Sequence, residues 1–210
     1  MEIKFGPAVP RIKINGDYMA KILKNNEKNM AINNILPFYD LYTCSRLFGK
    51  EVVISLSKKL GGVTYSDLRY TTFDKKDFKL YFKKEKLLIG VVLKLLQGFH
   101  GIYVFDYGDK WIKNKRISPQ LNQLLNRNKV SDDNIVLELT DEQEIVAFVK
   151  SIFRYNTFAS FFVPSKRMVL TPTDHLDIFI SSKDDFTKEV ENIIKDENKS
   201  KILRLTKKEY

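Results

Sequence analysis

Phe158-Ala-Ser-Phe-Phe-Val163, Arg167-Met-Val-Leu170 and Leu176-Asp-Ile-Phe-Ile180 follow one another, joined by Pro164-Ser165 and by Pro172-Thr-Asp174. Short runs rich in β-branched and aromatic residues, broken by proline, predict three consecutive strands. Just upstream, Thr140-Asp-Glu-Gln143 reads as a capping box, and Ile145, Phe148, Val149 and Ile152 form an apolar stripe at helical spacing. Downstream, Ser182 is read as the cap of a helix whose Phe186, Val190, Ile193 and Ile194 share a face. Ile202 to Leu205 reads as a last strand, and Lys207-Lys-Glu-Tyr210 as a frayed end.

Moving towards the N-terminus, Asn134 to Leu139 reads as a strand, and Ser118-Pro119 opens a helix through Leu121, Leu124 and Leu125. Between 51 and 112 the period looks strand-like at Val52 to Leu56, Val63 to Tyr70, Asp77 to Phe82 and Ile102 to Tyr107, while the continuous apolar run Leu87 to Leu96 fits a buried strand or a helical segment, with Ile89, Val91 and Val92 favouring the strand. Lys83-Lys-Glu-Lys86 serves as a hairpin tip. These links leave no room for helical crossovers, so the sheet is expected to be antiparallel. The first fifty residues read as mainly helical, around Tyr18, Ile22 and Leu23 and again from Pro37 to Gly49, after extended pieces at Ile3 to Phe5 and Arg11 to Ile14. The expectation is one α+β domain, mainly antiparallel sheet, with helices at the N-terminus and in the C-terminal third. A change of charge near residue 131 marks a subdomain boundary if there is one.

Composition supports a packed chain. At 210 residues, 43% of them hydrophobic, the core needs no disulfide or metal staple. The single cysteine, Cys44, has no intramolecular partner and fits a reducing compartment, so the cytoplasm is the expected location. No apolar run approaches the roughly 20 residues that span a bilayer, and Met1 to Pro7 has no secretory pattern.

Charge is segregated. Residues 58–130 hold 16 Lys/Arg against 6 Asp/Glu, which equals the whole net charge of +10. Residues 131–149 carry Asp132, Asp133, Glu138, Asp141, Glu142 and Glu144 with no Lys or Arg. Segregated charge creates a field and so points to a partner. Tyr65, Tyr70, Phe73, Tyr81 and Phe82 are interleaved with Arg69, Lys75, Lys76, Lys79, Lys83, Lys84 and Lys86, and Lys110, Lys113, Lys115 and Arg116 bracket Trp111. Read as a sheet, Lys79 and Tyr81 share one face, an arrangement suited to stacking and phosphate neutralisation. The plain alternatives are a solvated face with its aromatics turned inwards, and neutralisation of the 110–130 block by the 131–149 block. Lysine outnumbers arginine there, which disfavours sequence-specific readout of bases.

Catalytic signals are sparse. Asp174-His175-Leu-Asp177 is the strongest set, because a strand would turn His175 and Asp177 to one face. Zinc asks for three or four converging ligands, and only His100 or a distant acid could complete the set. The plain alternative is a turn with Asp177 in solvent. No nucleophile elbow and no phosphate-cradling glycine run is present, so no cofactor or metal is expected.

The C-terminal third, with its strand, Pro-Ser turn, strand, Asp174-His175, Asp177-Ile-Phe-Ile180 and Asp184-Asp-Phe186 opening a helix, resembles small bacterial immunity-type α+β proteins. The resemblance implies a cytosolic, non-catalytic inhibitor. The basic balance departs from the acidic character common in immunity proteins against nucleases. The expectation is therefore a non-enzymatic binding protein that engages an acidic protein through the region Tyr65 to Trp111. Sequence-nonspecific nucleic-acid binding is the alternative, and an enzyme using His175 comes third.

Overall fold

The computed structural model describes residues 13–14, 17–18, 21–22, 50–56, 64–70, 74–98, 102–106, 136–139, 141–155, 159–166, 168–182, 184–197 and 202–209. In chain order these form β1 (Lys13–Ile14), β2 (Asp17–Tyr18), β3 (Lys21–Ile22), β4 (Lys50–Leu56), α1 (Tyr65–Tyr70), α2 (Lys75–Leu96), β5 (Ile102–Asp106), β6 (Val136–Leu139) and α3 (Glu142–Tyr155). β7 (Ala159–Val163), β8 (Met168–Pro172), β9 (Ile178–Ser182), α4 (Thr187–Glu197) and β10 (Leu203–Glu209) follow, with a 3-10 turn at Pro164–Lys166 between β7 and β8.

The fold is α+β. The main sheet runs β10-β4-β9-β8-β7-β5-β6-β3, with antiparallel neighbours throughout, and β1 and β2 pair separately. Its centre is the meander β7-β8-β9, predicted from its proline-punctuated apolar runs. Register sets Val104, Phe161, Leu170, Ile180 and Val52 side by side across five strands. All five belong to one buried core. The helices close over that face with Leu88, Val92 and Leu95 of α2, Phe148 and Ile152 of α3, and Val190 and Ile194 of α4. Each such side chain contributes about 1.5–3 kcal/mol on leaving water. The core joins Ile102 and Val104 to Leu139 and Ile145, so it extends on both sides of residue 131. On the other face Phe162, Val169 and Ser181 are buried, and the Ser160 and Thr171 hydroxyls share a hydrogen bond of 2.6 Å.

Several expectations are corrected. Residues 65–70 and 75–96 are helices, not strands, and the supposed hairpin tip Lys83 to Lys86 lies inside α2. Alternation of Phe78, Leu80 and Phe82 imitates a strand, but the buried set Tyr81, Glu85, Leu88, Val92 and Leu95 has helical spacing. Tyr18 and Ile22 fall in strands rather than a helix. The C-terminal stretch 207–209 is paired with β4 instead of frayed. Leu176 begins no strand; it turns the chain at φ 61°, with Thr173 N–H bonded to the Asp177 carbonyl at 2.9 Å and Leu176 N–H to the Thr173 carbonyl at 3.0 Å. At the start of α3 the Gln143 N–H donates to Asp141 Oδ1 at 2.6 Å, and Thr140, read as the start of the capping box, lies outside the described residues. At α4 the Thr187 N–H donates to Asp185 Oδ1, whereas Ser182 bonds to Asp184. The helices expected at Pro37 to Gly49 and Ser118 to Leu125 lie outside the described residues.

Candidate functional site

The phase of α2 is set at its first turn. Asp74 Oδ1 accepts from the Lys76 and Asp77 N–H groups at 2.6 and 3.1 Å, and Asp77 Oδ2 accepts from the Asp74 N–H at 3.2 Å. This reciprocal cap satisfies N–H groups that lack an intrahelical acceptor. With about 100° per residue from there on, Lys75, Lys76, Lys79, Lys83 and Lys86 fall within an arc of about 100°. All five are exposed. The helix's two carboxylates, Asp77 and Glu85, project from other sides. None of these lysines forms an ion pair with a described residue. Phe82 and Leu80, 37% and 39% exposed, border the arc on opposite sides and are the exposed large hydrophobic side chains among the described residues.

Phe82 is held from beneath. Its ring centroid lies 5.9 Å from Tyr81, 6.2 Å from Tyr65 and 6.4 Å from Phe78. The Arg154 guanidinium lies over it at 4.8 Å, and over Tyr65 at 5.9 Å. Arg154 is fixed in turn by Glu85, its Nε and Nη2 donating to the two carboxylate oxygens at 2.6 and 2.5 Å. The hydrogen bond to Glu85 favours the charged guanidinium and raises its pKa further. Stacking, cation–π attraction and a bidentate charge pair thus converge on one partly exposed ring.

Of the residues chosen from sequence, Lys79 and Lys83 are displayed on this face and Arg69 is exposed on α1. Tyr81 and Lys84 are not contact residues, being 3% and 7% exposed. On a helix Tyr81 projects about 200° away from Lys79, so the two cannot share a face. The Tyr81 phenol donates to the Phe153 carbonyl at 2.8 Å, and burial raises its pKa. Burial lowers that of Lys84. Lys110, Trp111, Lys113, Lys115 and Arg116 lie outside the described residues. Glu85 and Arg154 went unnoticed in the sequence, which offers no local sign of a contact 69 residues apart.

Asp174, His175 and Asp177 lie together in the turn between β8 and β9, within electrostatic reach of one another. His175 is exposed, with Nε2 3.9 Å from Asp174 Oδ1, while burial raises the pKa of Asp177. Among the described residues no group of three or more His, Cys, Asp or Glu is placed to hold a metal ion. No helix of the described residues is long and apolar enough to cross a membrane. Comparison with protein-family models, with curated proteins and with solved structures gives no match.

Proposed function

We propose that the protein is a non-enzymatic binding protein that engages an acidic protein partner through the exposed face of α2. The carrying observation is the arc of five lysines uninterrupted by a carboxylate. Such an arc steers an oppositely charged partner during encounter and repels like-charged ones. The arrangement is not what helix stability alone favours. Lys75 and Lys76 stand in the first turn, where the helix dipole disfavours cations, and Lys75, Lys79 and Lys83 repel one another at i,i+4 spacing. An inhibitor-type role, as the resemblance to immunity proteins implies, is one form that this binding takes. Nucleic acid is the competing anion. Lysine without arginine on the arc lacks the bidentate fork that phosphate and base recognition prefers.

The test compares fluorescence anisotropy of an oligoglutamate peptide and of a single-stranded oligonucleotide of equal charge, with the parent protein and with Lys79→Glu/Lys83→Glu. The proposal expects peptide binding that the double reversal abolishes. Unchanged peptide affinity in the reversed variant would sink it, and tighter binding of the oligonucleotide would transfer the face to nucleic acid.

A further inference from the structure

Resting on that reading, we infer that Phe82 is the apolar anchor of the face, and that the acidic partner presents a large apolar side chain flanked by carboxylates. Lysines alone fix only the sign of a partner's charge, since their long side chains accommodate carboxylates in many positions. A hot spot differs from a charged rim in being rigid, apolar and central to what the partner covers. Phe82 is both apolar and rigidly held. It lies at the edge of the lysine arc, beside Lys75 and Lys86 in helical projection. It leaves 37% of its surface open. Its other sides are occupied by Tyr65, Phe78, Tyr81 and the Arg154 guanidinium. A ring so braced loses little conformational freedom when a partner covers it. Arg154 and Tyr65 are positioning residues here: they set the ring's orientation, and Glu85 sets that of Arg154. Leu80, on the opposite border of the arc and 39% exposed, serves as the internal comparison.

Two labelled peptides of equal charge separate anchor from charge: one repeats Glu-Glu-Phe-Glu, the other Glu-Glu-Ser-Glu. The parent should prefer the Phe peptide by about tenfold or more, the scale of one well-seated aromatic contact. Phe82→Ser should reduce that preference to near unity while leaving the Ser peptide's affinity unchanged. Leu80→Ser should leave the preference intact. A photo-cross-linker at the Phe position of the peptide should label α2 of the parent protein between Phe78 and Lys86, a readout that does not depend on how the variants fold. Loss of binding of both peptides on lysine reversal, together with an undiminished preference in Phe82→Ser or labelling elsewhere, overturns the anchor and leaves the acidic-partner reading standing. Binding of both peptides untouched by lysine reversal overturns that reading itself.

Discussion

Arg154 of α3 grips Glu85 of α2 through both carboxylate oxygens, at 2.6 and 2.5 Å, although the two residues are 69 positions apart. Glu85 is almost fully buried, while Arg154 keeps 24% of its side chain in solvent. Such a pair reports more on orientation than on net stability, because desolvation offsets much of the attraction. Removing one partner is different, since the other charge is stranded. Arg154→Met should destabilise by roughly 3 kcal/mol, the lower part of the range for buried pairs because Arg154 is partly solvated. Arg154→Met combined with Glu85→Leu should recover most of that loss. Urea denaturation of both singles and the double decides it. A double variant as unstable as the sum of the singles contradicts this account.

The Tyr81 phenol meets the carbonyl of Phe153 in the last turn of α3, where helix carbonyls lack intrahelical partners. It thereby bonds the end of α3 to the buried side of α2. Tyr81→Phe preserves the ring contacts with Tyr65 and Phe82 but leaves the carbonyl without its donor. The expected loss is about 1–3 kcal/mol, the desolvation penalty of an unpaired buried acceptor. Ring packing is unchanged in this variant, so equal stability to the parent in chemical denaturation would show that the bond contributes nothing net.

Asp177 follows the positive-φ Leu176 in the turn between β8 and β9, and burial raises its pKa above the ordinary 3.8. A raised carboxyl pKa means that the folded state binds a proton more readily than the unfolded chain. Stability contributed by this residue therefore falls as pH rises from 3.8 through the folded value, and the charged form is disfavoured at neutral pH. Asp177→Asn should raise the melting temperature at about pH 7, and that gain should shrink or vanish by about pH 3.5, below the ordinary carboxyl value. The measurement is thermal unfolding of parent and variant at the two pH values. A gain of equal size at both would assign the effect to packing instead.

The sequence reads truly where chemistry and period agree. β7, β8 and β9 appear where short β-branched and aromatic runs punctuated by proline place them, and they are buried on both faces. α3 is legible from Ile145, Phe148, Val149 and Ile152. α2 is not, for two physical reasons. Its buried stripe is interrupted by Lys84 and Glu85, charged residues that ordinarily mark a solvent face. Its C-terminal half carries Ile89, Val91 and Val92, whose β-branched side chains favour strands until tertiary packing overrides them. The signal that could have corrected the reading is Asp74 with Asp77, a capping pair just ahead of the run. Of the site, the lysines are legible as charge, but their convergence depends on a helical phase that a strand reading scatters to two faces.

Lys79 links stability to binding. At helical spacing it faces Lys75 and Lys83 four residues away on either side, and Lys76 three residues before, and all of these are exposed. Like charges at these spacings destabilise a helix by about 0.2–0.5 kcal/mol per pair, and opposite charges stabilise it by similar amounts. Lys79→Glu turns each repulsion into an attraction. The new carboxylate lies N-terminal to Lys83 at i,i+4, which is the favourable orientation for such a pair. Over the three pairs the variant should therefore gain about 1–3 kcal/mol in stability at low ionic strength. In roughly 1 M salt the gain should largely disappear, because the screening length falls to about 3 Å. Urea denaturation at about 0.01 M and about 1 M salt measures both. A variant that is more stable and yet binds the acidic peptide less tightly shows that the lysine arc serves recognition at a cost to the fold. A destabilised variant would mean that Lys79 has a structural partner, and would remove it from the docking face.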